Sequence, residues 1–162
     1  MFSLPLVVLD LVLIPLMGAG LVFFIPAKYA AWARHVAVGA TFLTLAGAVI
    51  LFLNYNPAVP DFQFSLKLPW ISTLGISFHT GLDGIGIVMV LLHAILSFSG
   101  ALVSRSIAQN EKLYFILYLV LVSSIFGVFT SLDLFFLYFF YEMAVIPLYP
   151  LIGIWGSQNR EY

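Results

Sequence analysis

The sequence has 162 residues, 63% of them hydrophobic and 8% charged, with seven acidic side chains against six basic ones. A soluble domain carries about a quarter charged residues, so this set cannot give an 18.0 kDa globule a water-compatible surface. A cytosolic enzyme, a secreted mini-protein and a nucleic-acid binder with its basic patch are excluded, and an integral membrane protein remains.

Apolar runs recur along the chain, each long enough for the roughly 20 residues that cross about 30 Å of hydrocarbon. The first predicted helix covers 4–27, with Asp10 as its one ionisable residue. Its Gly18 and Gly20 are read as positions of close helix packing. Nothing before Lys28 is basic, so a cleaved leader is not expected. The second predicted helix covers 32–53. An external connection, 54–79, then opens on Asn54, Asn56, Pro57 and Pro60. In it Phe62, Phe64, Leu66 and Leu68 alternate with Gln63, Ser65 and Lys67, and Ile76 and Phe78 with Ser77 and His79. That period of two predicts a short β-hairpin folded over the outer ends of helices. The third helix is predicted over 83–104 with His93 near its middle, the fourth over 112–130, and the fifth over 133–154 with Glu142 inside it. The expected fold is a single all-α membrane domain, 1–162, with five spans and one hairpin. No repeat or low-complexity tract divides it.

Two helix starts share a signature. Thr80-Gly-Leu-Asp83 precedes the third span and Thr130-Ser-Leu-Asp133 the fifth. Both fit the capping box, in which side-chain oxygens satisfy the free N–H groups of a first turn. Orientation follows from basic residues. Lys28, Arg34, Arg105, Lys112 and Arg160 fall on one side and Lys67 on the other. The amino terminus is therefore expected outside and the carboxyl terminus in the cytoplasm.

Glu142 is the outlier. An ionisable residue deep in a span is costly and marks a proton or ion path by default. Pro147 and Pro150 deprive the carbonyls of Met143 and Ile146 of their donors, which predicts a broken, hydrated helix. Tyr138 and Tyr149 share the helix face of Glu142 and offer hydroxyls. His93 has the ordinary pKa of a proton shuttle, set against the role of a neutral buried hydrogen-bonding group. His35 and His79 fall at span edges, and the three histidines are too scattered for a metal site. Asp10 needs a partner if it lies deep. Gly81-Leu-Asp-Gly84-Ile-Gly86 lacks the spacing and βαβ context of a nucleotide loop. With no cysteine in the sequence, disulfides and thiolate-held metals are absent.

These residues together resemble a known family. Leu68-Pro-Trp70, Gly75-Ile-Ser-Phe-His79, Leu82-Asp-Gly-Ile85, the run from Phe129 through Glu142 and Pro147 to Tyr149, and Ile152-Gly-Ile-Trp-Gly156 are similar to the chain M (subunit 4) group. These are the antiporter-like subunits of respiratory complex I, and the block around Glu142 and Pro147 is the specific part. The resemblance implies a longer bundle of membrane helices with an external amino terminus, of which roughly the first third is present here. It implies that Glu142 matches the essential glutamate of the fifth helix, which interacts with a lysine on a seventh helix beyond Tyr162. It gives His93 no role. By the same resemblance the chain is a proton-translocating membrane-arm subunit of an NADH–quinone oxidoreductase, or one piece of a split or truncated one, in the cell inner (plasma) membrane. It holds no cofactor itself. NADH or another donor, FMN, iron–sulfur clusters and quinone are expected in partner subunits, and another chain supplies the remaining helices. Two alternatives stay open: a subunit of a cation/proton antiporter or membrane-bound hydrogenase, and a non-pumping scaffold.

Overall fold

The computed structural model describes residues 4–71, 73, 75–104, 107 and 110–156. Five helices run in chain order: α1 (Leu4–Phe24), α2 (Trp32–Asn54), α3 (Gly84–Val103), α4 (Glu111–Thr130) and α5 (Leu134–Trp155). Strands β1 (Gln63–Ile71) and β2 (Ile76–Leu82) lie between α2 and α3. All five helices are long and apolar enough to cross a membrane, and the chain is a multi-pass membrane protein. Helix α1 stops at Phe24 rather than at 27, because Pro26 disfavours helical geometry in the residue before it. A single 3-10 turn, Ala27–Tyr29, follows.

Helix α4 is the centre of the bundle. It packs against α1 and α5 and also touches α2 and α3. Its Phe115, Leu119 and Phe126 are fully buried. One buried cluster gathers Leu11, Leu51, Val90 and Phe126 beneath the hairpin, and a second joins Val22, Ala37, Phe115 and Leu119 towards the other end. Lipid offers helices little hydrophobic drive to associate, so small residues and polar ties matter more than in water. A Cβ on Gly18 would sit 3.1 Å from that of Ala40, whereas one on Gly20 would meet open space. Among the described residues the first of the two predicted glycines serves packing and the second meets no neighbour. The Ser123 hydroxyl of α4 donates to the Val12 carbonyl of α1 at 2.7 Å, beside the Leu11 carbonyl whose donor Pro15 removes.

At the end opposite the hairpin, Lys112 donates to the carbonyls of Phe23 and Ile25 at 2.8 and 2.7 Å. This closes the last turn of α1 with the positive charge that a helix C-terminus favours. Lys28 and Arg34 belong to the same end, while Lys67 sits in the hairpin. Arg105 and Arg160 lie outside the described residues.

The hairpin is antiparallel and pairs Leu66 with Thr80, Leu68 with Phe78 and Pro69 with Ser77. Strand β1 continues through Pro69 to Ile71, further than the alternation predicts. It has a neighbour on one side only, so a residue without N–H is tolerated there. Gly75 makes the turn at φ +71°, a conformation that a side chain would strain. The ladder slips between Gln63 and Leu66, where Phe64 takes φ +55° and packs on the core. The burial also departs from the simple alternation. In β2 Ser77, Thr80, Gly81 and Leu82 are buried, and the free edge of this strand meets the chain between α4 and α5.

Candidate functional site

Glu142 is the ninth residue of α5, about 12 Å along the helix at 1.5 Å per residue. The expectation of a broken helix is corrected: α5 remains helical through Pro147 and Pro150 to Trp155. Each proline removes one N–H and frees one carbonyl, of Met143 or Ile146, while the ladder continues on either side. Glu142 lies on an exposed face of the helix. Tyr138 and Tyr149 are 59% and 85% exposed, and among the described residues no hydrogen bond joins either hydroxyl to the carboxylate.

Three contacts hold α5 in place. Along its length it leans on α4, where Phe140 fills the notch at Gly127 so closely that a methyl there would collide with the ring. Near its last turn Trp155 meets Tyr114 edge to face at 5.3 Å. At its first turn Phe135 and Phe136 pack at a tilt against Trp70 at 5.7 and 5.5 Å, and Phe136 also meets Phe78 at 5.0 Å.

The capping box is corrected too. Both aspartates do cap helices, but each is the N-cap residue itself. Asp83 accepts from the Gly86 N–H at 2.6 Å and Asp133 from the Phe135 N–H at 2.9 Å. Thr130 is still the last residue of α4 and bonds back to Phe126, and Thr80 lies within β2. A motif of spacing three cannot show on which side of the helix boundary its members fall. Asp133 does more than cap, since its other oxygen accepts from the Ser77 N–H of β2 at 3.0 Å.

That bond from Ser77, followed by the one from Phe135, holds the Asp133 carboxyl below the usual carboxylate range. A group with a depressed folded pKa stabilises the fold above its unfolded value and loses that effect as pH falls through the folded value. Amide exchange at Ser77 and Phe135 should therefore be slow and pH-insensitive near neutrality, beyond the intrinsic chemistry. Protection should drop only once the pH is taken below the ordinary carboxylate range, about 3.9. Loss of protection already near pH 6 would contradict the bond.

The remaining candidates are dispersed. His93 on α3 is half-buried, its Nε2 3.1 Å from the Val122 carbonyl of α4 and its ring 4.5 Å from that of Phe126. It ties α3 to α4, while Glu142 faces outward on α5. His35 meets the Ala31 carbonyl at the start of α2 and the ring of Trp32, and His79 meets the Ser65 hydroxyl at 3.0 Å. Asp10 is exposed on α1, seven residues in. Among the described residues no three His, Cys, Asp or Glu side chains could hold a metal ion. Sequence reasoning missed the bonds from Ser77 to Asp133, from Ser123 to Val12 and from Lys112 to α1. Each joins residues far apart in the chain, and no local pattern announces them.

Five spans, a hairpin over one end and a carboxylate inside the last span define a polytopic helical membrane protein with an ionisable group at membrane depth. Comparison with known proteins narrows that class. The chain is 32% identical over 137 residues to "NADH-quinone oxidoreductase subunit M" of Rickettsia felis, covering 84% of this chain and 28% of that protein. It is 33% identical over 158 residues to "NADH-ubiquinone oxidoreductase chain 4" of Chondrus crispus, covering 97% and 32% respectively. A chain of "Respiratory complex I from Thermus thermophilus with bound NADH" matches with a TM-score of 0.77 and 28% identity, over 95% of this chain and 30% of that one. A chain of the archaeal membrane-bound sulfane sulfur reductase, at 19% identity and a TM-score of 0.71 over 98% of this chain and 24% of that one, shows a shared fold alone. No protein-family model matches. The protein is a homologue of NADH-quinone oxidoreductase subunit M and of its chain 4 counterparts, as the resemblance implies. It spans about a quarter to a third of the length of the curated relatives it matches, at 28%, 27% and 32%.

Proposed function

We propose that this chain works in the proton-translocating membrane arm of an NADH–quinone oxidoreductase, with Glu142 taking up and releasing protons as quinone is reduced. The observation that carries this reading is the place of Glu142, deep in a membrane helix on a face its own chain leaves open. A charged carboxylate facing lipid costs about 3 kcal/mol or more, so the arrangement calls for a covering polypeptide with a cation or hydrogen-bond donor. A cation nearby offsets desolvation and brings the two protonation states close in free energy. The names of the homologues support a membrane-arm setting, and their greater length agrees with further helices supplied by a partner or by more of the same polypeptide. His93 is a second candidate, its Nε2–H bonded to Val122 and its Nδ1 left to exchange a proton. Nicotinamide, flavin, iron–sulfur and quinone chemistry belongs to partner subunits in this reading. These 162 residues include no cysteine to ligate a cluster. Proton uptake by reconstituted vesicles, measured beside electron transfer with Glu142→Gln in place, tests it.

The orientation that goes with this function puts the hairpin outside and the Lys28, Arg34 and Lys112 end in the cytoplasm. On intact cells an impermeant thiol reagent should label Ser65→Cys, in exposed β1, and spare Tyr29→Cys, in the turn after α1. The native sequence has no cysteine to confuse the result. Labelling of Tyr29→Cys alone reverses the topology.

A further inference from the structure

The junction between β2 and the start of α5 is held by several polar bonds. The Leu132 N–H donates to the His79 carbonyl at 2.8 Å and Ser131 forms a single antiparallel bridge with Thr80, so the segment between α4 and α5 touches the edge of β2. Asp133 closes it. One carboxylate oxygen, Oδ1, accepts from Phe135 in its own helix, and the other, Oδ2, from Ser77, which is 56 residues away in sequence. A helix cap needs only the first of these bonds. Asp83, the other aspartate cap, shows the difference: the structure gives its carboxylate one partner, the Gly86 N–H within its own first turn.

We propose that Asp133 is a positioning residue for Glu142. Its two oxygens fasten the first turn of α5 to β2 and so set the height and rotation at which Glu142 stands in the membrane. The inference rests on the proposed role of Glu142. Within the chain α5 is the least enclosed of the five spans and leans mainly on α4. Asp133 and Glu142 are nine residues apart on one helix, about 14 Å at 1.5 Å per residue, and a helix transmits a rotation of its first turn over that distance. The packing of Trp70 and Phe78 against Phe135 and Phe136 brings the hairpin to the same turn.

Asp133→Asn separates the fastening from the cap. Asparagine matches aspartate in size and is as good an N-cap, but its amide nitrogen cannot accept the second N–H. In the full chain reconstituted in lipid vesicles, amide exchange at Ser77 should accelerate about tenfold or more, the loss expected for a hydrogen bond to a charged group. The infrared carboxyl band of Glu142, identified by its disappearance in Glu142→Gln, should shift in frequency and broaden. Asp133→Glu restores both oxygens and should recover part of the protection, whereas Asp83→Asn should leave the Glu142 band unchanged. In the assembled complex Asp133→Asn should lower protons moved per electron. If Asp133→Asn does not insert, Asp133→Ser offers a cap with one short oxygen and the same readings. Unchanged exchange at Ser77 would remove the fastening, and faster exchange with an unchanged Glu142 band would remove its positioning role. A Glu142→Gln complex that pumps fully would instead overturn the proton-path reading, while the exchange and infrared readings still judge Asp133.

Discussion

Glu142→Gln should abolish most of the proton uptake of the assembled complex, a loss of about two orders of magnitude by the usual worth of a proton-transferring group. Glutamine keeps the size and hydrogen-bonding reach of the side chain and removes only its titration. Glu142 stands on an exposed face of α5 rather than in the packed interior, and glutamine matches it in size, so the substitution leaves the packing of the bundle in place. The lost function is then separable from lost folding. Quinone reduction should fall as well if coupling is tight. Glu142→Asp keeps the acid and shortens its reach by one methylene, which a water can bridge, so partial activity is expected. His93→Asn is the control: asparagine can still donate to the Val122 carbonyl, and the loss should be much smaller. Proton uptake and electron-transfer rate in the same vesicles make the measurement. Full pumping by Glu142→Gln would leave the scaffold reading in its place.

Gly127→Ala should be strongly destabilising. The ring of Phe140 occupies the place where that methyl would go, and Gly127 lies on α4, the helix that organises the bundle. Inserting a methylene into a packed contact costs about 1–3 kcal/mol. Here the strain falls on the contact that holds α5 to the rest of the chain, two residues from Glu142. Thermal unfolding in detergent should show a lowered midpoint, with less of the chain in the assembled complex. Combining Gly127→Ala with Phe140→Leu should recover part of the loss, because the smaller side chain gives back the space and contacting residues are coupled rather than additive. Additive losses would show that the two side chains do not meet.

Much of this protein was legible from residue order alone. The spans, the hairpin and the isolation of Glu142 each follow from local chemistry: hydrocarbon excludes charge, strands alternate every two residues, and a helix needs about 20 apolar residues to cross. The block around Glu142 and Pro147 carried the resemblance that the comparisons bear out. Where reasoning from order failed, the competing effect was local geometry that a motif does not encode. The prolines left α5 continuous because each removes a single bond from a ladder that resumes beyond it. The two Thr-x-x-Asp motifs span a strand end in one case and a helix end in the other, so neither threonine caps.

Tertiary structure alone decided which helix sits at the centre and which side chains tie distant segments. None of the five spans carries a strongly one-sided apolar stripe, so the pattern does not say that α4 is enclosed while α5 is open. That depends on where small residues such as Gly18 and Gly127 let neighbours approach. It also depends on single polar bonds between segments remote in sequence, from Ser123 to Val12, Lys112 to Phe23 and Ser77 to Asp133. Sequence order identifies the ionisable group inside the membrane. The packing around it decides that Glu142 faces outward and that its helix is fastened from the hairpin side, because exposure is a property of the assembled bundle and not of any one span.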